Sequence, residues 1–260
     1  MSYKVAFISL GCAKNLVNTE QMMALCRDAG HTVTGDPDGA DVAVLNTCGF
    51  IESAKSEAID SILELAALKQ AGKLKKLLVA GCLSQRYPDE IRADLPEVDG
   101  LLGTGSYTDV ASAVEELMAG ERPEHFGEIA QAYDDGERWV TTPPWTAYLK
   151  IAEGCSNGCA FCIIPKLRGK YRSRPMASLL AEAKGLADSG VKELIVIAQD
   201  ITRYGWDLKD GTTLAGLLTE LCKLDFHWIR LHYLYPEAVT DELIAVIARE
   251  KKIVRYLDIP

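Results

Sequence analysis

The sequence predicts an α/β protein, with an N-terminal open parallel-sheet domain followed by a partial (β/α) barrel. Three observations lead there. Short β-rich apolar runs alternate with segments whose apolar residues recur at helical spacing, the order expected of parallel strands joined by covering helices. Three of the early runs end on a cysteine at similar intervals, Cys12, Cys48 and Cys82, as repeated βα units would. After a Pro-containing acidic break the alternation resumes with four strands and three helices, about half a barrel. At 260 residues and 48% hydrophobic content, the chain has ample material for buried cores.

Taken in order, Lys4 to Gly11 is a strand, and a helix is expected from about Asn18 to Ala29. In it Met22, Leu25, Cys26 and Ala29 form one apolar stripe, and Gly30 stops it. His31 to Thr34 and Asp41 to Thr47 read as strands, Ser53 to Ala71 as a long helix, and Lys76 to Gly81 as the next strand. Gln85 to Ala93 reads as a helix, Gly100 to Gly103 as a short strand, and Asp109 to Ala119 as a further helix. Residues 1–120 make the first domain. In open parallel sheets ligands sit beyond the carboxyl ends of the strands, near the point where strand order reverses. With the order 2-1-3-4-5, the strands ending in Cys12, Cys48 and Cys82 are neighbours about 4.8 Å apart. Their thiols then share one edge, within reach of a common metal centre.

Residues 121–144 read as a linker, with Asp134, Asp135 and Glu137, two prolines near its end and a short extended piece around Trp139. Residues 145–260 form the second domain. Trp145 to Ile151 is a strand, Met176 to Ser189 a helix, Glu193 to Ala198 a strand, and Leu214 to Leu224 a helix. Trp228 to Leu231, Asp241 to Arg249 and Val254 to Asp258 then read strand, helix, strand, and the sequence stops in mid-pattern.

Charge and cysteine usage narrow the function. Lys and Arg number 28 against 37 Asp and Glu, a net charge of −9, which disfavours general attraction to nucleic acid or anionic membrane. No run reaches the length of a membrane span, and the first residues lack a signal peptide's apolar stretch and cleavage site, so a cytoplasmic location is expected. Eight cysteines in that compartment favour metal binding over disulfides.

The strongest local signal is I-A-E-G-C-S-N-G-C-A-F-C-I-I-P, Ile151 to Pro165, where Cys155, Cys159 and Cys162 are spaced C-x-x-x-C-x-x-C. Gly154, Asn157 and Gly158 let the backbone fold so that three thiols face one object. Three thiolates on a four-iron cubane leave one iron open to a small molecule. A zinc knuckle is the rival, but it wants a fourth ligand nearby, and His125 and His227 are distant in sequence. For Cys12, Cys48 and Cys82 the rival is burial as small hydrophobes. Their shared strand-end setting favours a second three-cysteine site. Cys26 and Cys222 fall on apolar helical stripes; Cys26 is expected in the core, and Cys222 has no cluster partner.

The loop, including Phe161 before its last cysteine, resembles the signature of radical S-adenosylmethionine (SAM) enzymes. Together with S-L-G-C-A-K-N-L-V-N-T-E, N-T-C-G-F and G-C-L-S-Q-R-Y around Cys12, Cys48 and Cys82, it resembles the radical-SAM methylthiotransferase family. That resemblance implies two 4Fe-4S clusters, an auxiliary one on Cys12, Cys48 and Cys82 and a SAM-cleaving one on Cys155, Cys159 and Cys162. It implies that SAM is used twice: once to methylate a sulfur on the auxiliary cluster, and once to yield a 5'-deoxyadenosyl radical that abstracts hydrogen from the substrate. A low-potential electron donor and two clusters facing one cavity are implied as well. It implies no catalytic residues beyond the cluster ligands. The family pattern continues past Pro260 with more barrel strands and a small β-barrel domain, so the chain is expected to be a C-terminally truncated member whose own activity is open.

Within that resemblance Gln199 and Asp200, at the end of the second barrel strand, match the position from which SAM is held, with Phe161 beside it. The family's Gly-Gly-Glu is Ala198-Gln199-Asp200 here. The wording of S-L-G-C-A-K-N, R-G-K-Y-R-S-R and H-Y-L-Y-P resembles the branch that modifies an aspartate β-carbon on protein twelve of the small ribosomal subunit, with nucleic acid met only through the ribosome. The alternatives are the tRNA-adenosine branch and an iron-sulfur electron carrier without SAM chemistry, although carriers normally close every iron. The run Arg168, Lys170, Arg172, Arg174 reads either as a solvated face or as an anion-binding patch, and His232 as structural.

Overall fold

In a computed structural model, residues 1–130 and 136–259 are described. They form two compact units, residues 1–139 with 166–168, and residues 140–165 with 169–260.

The first unit contains strands β1 (Lys4–Ser9), β2 (Thr32–Thr34), β3 (Ala40–Thr47), β4 (Leu74–Gly81), β5 (Gly100–Leu102) and β6 (Glu124–His125). They form one parallel sheet in the order β2-β1-β3-β4-β5-β6, so the strands ending before Cys12, Cys48 and Cys82 are adjacent. Period-two alternation sends neighbouring side chains to opposite faces. Val5, Phe7, Val42, Val44, Leu78 and Ala80 pack with α1 (Ala13–Asp28) and α5 (Val110–Ala119). Ala6, Ala43, Leu45, Leu77 and Val79 pack on the other face with α2 (Glu52–Gln70). Burial of each Val or Leu is worth about 1.5–3 kcal/mol, so covering both faces fixes which residues point where.

Three elements differ from the expectation. Helix α1 begins at Ala13, just after Cys12, rather than near Asn18. Its first turns bury Lys14, Asn15, Asn18, Thr19 and Glu20, so no apolar stripe announces them. The expected Gln85–Ala93 helix is two, α3 (Cys82–Arg86) and α4 (Pro88–Asp94), because Pro88 takes a first-turn position and has no N–H with which to continue α3. The expected linker supplies β6 to the sheet, and within it Arg138 pairs with buried Glu20 at 2.8 Å, while the Trp139 N–H donates to Glu20 O. Of the acidic stretch, Glu137 lies 3.3 Å from Arg27, and Asp134 and Asp135 fall outside the described residues.

The second unit contains β7 (Thr146–Lys150), β8 (Ala152–Glu153), β9 (Arg172–Ser173), β10 (Glu193–Ile197), β11 (Trp228–Leu231) and β12 (Ile253–Leu257). Strands β7, β10, β11 and β12 are parallel and lie side by side in chain order, the progression of a (β/α) barrel. Helix α6 (Ile164–Arg168) follows the cysteine loop, and its last turn groups with the first unit. Helices α7 (Met176–Asp188), α8 (Leu214–Leu221) and α9 (Asp241–Arg249) contribute Leu179, Leu218 and Val246 to one core with Leu149, Val196 and Leu231. Thr213 and Thr240 cap α8 and α9 by accepting from the Gly216 and Leu243 N–H groups. This is the α/β class the alternation predicts. No described helix is long and apolar enough to cross a membrane.

Candidate metal centres

Three strand ends bring the N-terminal cysteines together. Thr47 pairs with Gly81 in the β3–β4 ladder, so Cys48 and Cys82 follow side by side. Leu10 N donates to Asn46 O at 2.9 Å, carrying the β1–β3 register up to Gly11 and Cys12. Gly11 has φ +84°, and a Cβ there would fall 2.6 Å from Cys48 Cβ and 3.4 Å from its sulfur. A Cβ on Gly49 would lie 2.9 Å from Cys82 O. The two glycines therefore let the cysteine-bearing backbones approach to contact.

Buried amides and hydroxyls fix this edge. Asn15 Nδ2 donates to Thr47 O at 2.9 Å and to Leu10 O at 3.2 Å. Asn46 Nδ2 donates to Asn15 O at 2.9 Å and to Thr19 Oγ1 at 3.0 Å. The Thr47 hydroxyl donates to Ala80 O at 2.6 Å, and the Ser84 hydroxyl to Gly81 O at 3.0 Å. Such a satisfied network holds strand ends in one arrangement. Arg168, 3% exposed, donates to Asn18 Oδ1 at 3.1 Å and to Asn15 Oδ1, with its guanidinium 5.7 Å from the Tyr107 ring centre. Burial pushes the Cys12 thiol pKa up, but the Lys14 and Arg168 cations and the N–H dipoles of Asn15 and Lys14 outweigh it, and the net direction is down. Burial raises the Cys48 pKa, reinforced by the Cys82 and Cys12 sulfurs and only partly opposed by the Phe50 N–H.

In the second unit Cys155, Cys159 and Cys162 lie on the loop between β8 and α6. Gly154 has φ +79°, and a Cβ there would lie 2.3 Å from Lys170 O, so only glycine fits immediately before Cys155. Cys155 N donates to Gly169 O at 3.1 Å, and Cys162 N to Cys159 O at 3.0 Å. Burial raises the Cys155 pKa, opposed by the Asn157 N–H and reinforced by Asp200 and by the Cys162 and Cys159 sulfurs. Phe161 is 88% exposed, so its ring face is open to a ligand.

Around this loop runs a polar network that sequence reasoning missed. Lys150 is fully buried, with Nζ 2.8 Å from Glu153 Oε2. Glu153 Oε1 accepts from Gly154 N at 3.2 Å and from Gln199 Nε2 at 2.5 Å. Asp200, 1% exposed, accepts from Asn157 Nδ2 at 2.8 Å and from Thr202 N at 3.0 Å. The buried oxygens Gln199 Oε1 and Asn157 Oδ1 have no hydrogen-bond partner among the described residues. The only sequence signal for this network was the polar Gln199-Asp200 at a strand's carboxyl end.

The basic run is split, with Lys170 exposed and Arg172 half-buried between two buried arginines at its ends. Arg168 and Arg174 are each 3% exposed, and Arg174 pairs with Glu182 at 2.6 Å while donating to Lys150 O at 3.0 Å. Cys26 is buried, its pKa pushed up to about 12 by burial, and Cys222 packs at the end of α8. The His232 ring meets Tyr233 edge-on at 6.1 Å.

All eight cysteines are free thiols. Among the described residues no group of three His, Cys, Asp or Glu side chains is arranged to hold a single metal ion. A cubane binds its thiolates through different irons, so its ligands stand farther apart than those around one ion. Two all-sulfur sets of three, each gathered on its own edge or loop, fit that group in donor chemistry.

Both halves of the chain are similar to known proteins. Residues 4–103 match the family described as "Uncharacterized protein family UPF0004", and residues 149–260 match the Radical SAM superfamily. The chain is 51% identical over 259 residues to the ribosomal protein uS12 methylthiotransferase RimO of Clostridioides difficile (strain 630), covering 99% of this chain and 58% of that relative. Identity is again 51% to the protein of the same name from Symbiobacterium thermophilum, covering 99% of this chain and 53% of the relative. The chain thus spans little more than half the length of these relatives. Among solved structures, the radical SAM methyltransferase TsrM from Kitasatospora setae, with cobalamin and a [4Fe-4S] cluster bound, superposes with TM-score 0.65 at 12% identity. The match covers 95% of this chain and 59% of that one, and shows likeness of fold alone.

Proposed function

We propose a function from the premise that this chain belongs to the radical-SAM methylthiotransferase family. Its reaction is the addition of a methylthio group to the β-carbon of an aspartate in ribosomal protein uS12. One observation carries the reading: two separate sets of three free thiols, one at adjacent ends of β1, β3 and β4 and one on a single loop. Cys155, Cys159 and Cys162 hold one 4Fe-4S cluster, and Cys12, Cys48 and Cys82 hold a second. With SAM and a low-potential electron donor, such clusters supply one-electron cleavage chemistry and open irons for small ligands.

The chain's own residues bind and orient. Gln199 is fixed through Nε2 by Glu153, which leaves its buried Oε1 as an acceptor for the SAM ammonium group. Phe161 offers its open ring face to the adenine by stacking. Lys14 and Arg168, cations acting on Cys12, favour its thiolate for metal binding.

Anaerobic reconstitution tests the ligand sets. We expect about eight irons and eight sulfides per chain, and about four of each in a variant with Cys12, Cys48 and Cys82 replaced by Ala. Replacing Cys155, Cys159 and Cys162 should abolish formation of 5'-deoxyadenosine from SAM. Supplying SAM, sulfide, reductant and either uS12 or tRNA tests the substrate, with the C. difficile relative as positive control. Methylthiolated tRNA beside unmodified uS12 would overturn the assignment.

A further inference from the structure

We infer that Asp200 is a positioning residue, holding the Cys155–Cys162 loop in its ligand-presenting shape through Asn157, and is not a contact to SAM. The inference rests on the reading that Cys155, Cys159 and Cys162 hold a cluster.

Both Asp200 carboxylate oxygens are engaged within the protein. Oδ1 accepts from Thr202 N at 3.0 Å and from the Thr202 hydroxyl, and Oδ2 accepts from Asn157 Nδ2 at 2.8 Å with Arg203 Nε 3.3 Å away. At 1% exposure the carboxylate has little surface left for a ligand. Neighbouring Gln199, by contrast, keeps an unpartnered buried oxygen. The two polar residues at the end of β10 therefore differ: Asp200 has both oxygens engaged within the protein, whereas Gln199 keeps one buried acceptor uncommitted.

Asn157 sits between Cys155 and Cys159, in a stretch without helix or strand. Two side-chain bonds tie down the middle of this stretch, Ser156 Oγ accepting from Tyr171 N at 3.1 Å and Asn157 donating to Asp200. Asn157 also directs its backbone N–H at the Cys155 sulfur. Gripping its side chain thus fixes a donor aimed at a ligand atom. The Thr202 hydroxyl extends the brace by accepting from Tyr235 N at 3.4 Å. Holding an irregular segment in one shape before metal arrives removes an ordering cost from cluster binding.

The test exchanges donor and acceptor. In a chain with Cys12, Cys48 and Cys82 replaced by Ala, so that only the loop site is counted, Asp200→Asn sets two amide N–H groups against each other. Asn157→Asp instead sets two carboxylates together, and the double variant restores one N–H···O bond with the roles swapped. Asn157→Ala cuts the link while leaving the other Asp200 bonds in place, and circular dichroism melts confirm that each variant folds. We expect each single variant to lose iron to a chelator about tenfold faster than the parent, equivalent to about 1.4 kcal/mol. We also expect altered g-values in the reduced-cluster EPR spectrum. The double variant should return to within about threefold of the parent, a rescue that general weakening of the barrel would not give.

Unchanged iron loss in Asp200→Asn, or a double variant no better than the worse single, overturns the inference. So does a variant that holds iron like the parent but binds SAM more weakly, since that returns Asp200 to the SAM site. If the parent holds no iron that Cys155→Ala removes, the ligand reading itself falls, and the brace falls with it.

Discussion

Replacing Gly11 by Ala should displace Cys48 and empty the N-terminal centre alone. The added methyl would sit 2.6 Å from Cys48 Cβ, where carbon atoms normally stand about 3.5–4.0 Å apart, so one of the two must move by roughly 1 Å. The left-handed φ of +84° adds a backbone cost of about 1–2 kcal/mol, and overpacking adds about 1–3 kcal/mol. The total of about 2–5 kcal/mol corresponds to a fall of about 4–20 °C in melting midpoint for a chain of this size. Gly30 supplies the control: its φ is +89°, but nothing lies within 4 Å of the Cβ site, so Gly30→Ala carries only the backbone cost. The assays are the melt of the reduced, metal-free chain by circular dichroism, and iron content after reconstitution. Gly11→Ala should melt below Gly30→Ala and bind about four irons where Gly30→Ala binds about eight. If the two variants melt together and bind equal iron, the packing of Cys48 over Gly11 is wrong.

Three further outcomes follow from buried groups. Arg138→Met removes the cation 2.8 Å from a Glu20 side chain that is 1% exposed, and should cost about 3–5 kcal/mol, read in a denaturant titration. Lys150→Met should cost a similar amount through Glu153, while adding Glu153→Gln should recover part of the loss because a neutral pair needs no charge compensation. Burial raises the Cys222 pKa to about 11, so at pH 8, about three units lower, roughly one thiol in a thousand is ionised. Iodoacetamide labelling of Cys222 followed by mass spectrometry should therefore be slow at pH 8, rise about tenfold per pH unit as pH climbs toward that value, and become rapid on unfolding. Labelling that is fast and flat with pH would contradict the burial.

The sheet order and the gathering of Cys12, Cys48 and Cys82 were legible because both follow from local patterns: apolar alternation, helical spacing and a cysteine at each strand's end. The start of α1 was not, because Asn15, Asn18 and Thr19 turn polar atoms inward to bond strand ends, and periodicity registers only apolar burial. Strand β6 spans only Glu124 and His125, too short to show alternation, so its segment read as a linker. Arg168 and Arg174 looked like a charged surface because their partners are remote or separately folded: Asn15 lies far upstream, and Glu182 comes from α7. The brace from Asp200 to Asn157 was hidden for the same reason. The two meet only after β10 pairs with β7 and sets the end of one strand beside the loop that follows the other.

The two thiol sets differ in how much of the chain must be finished before they exist. Cys155, Cys159 and Cys162 are neighbours in sequence as soon as they are synthesised, and only the brace that shapes their loop waits for Asp200 at the end of β10. The other set draws on three strands, the last ending at Gly81, and has no shape until β1, β3 and β4 lie in register. A slip of one residue would turn Cys82 to the opposite face. If these cysteines hold a centre as proposed, its loading inspects the sheet: a chain that has paired its strands wrongly has nowhere to put the metal, and is left without a cofactor rather than with a misplaced one.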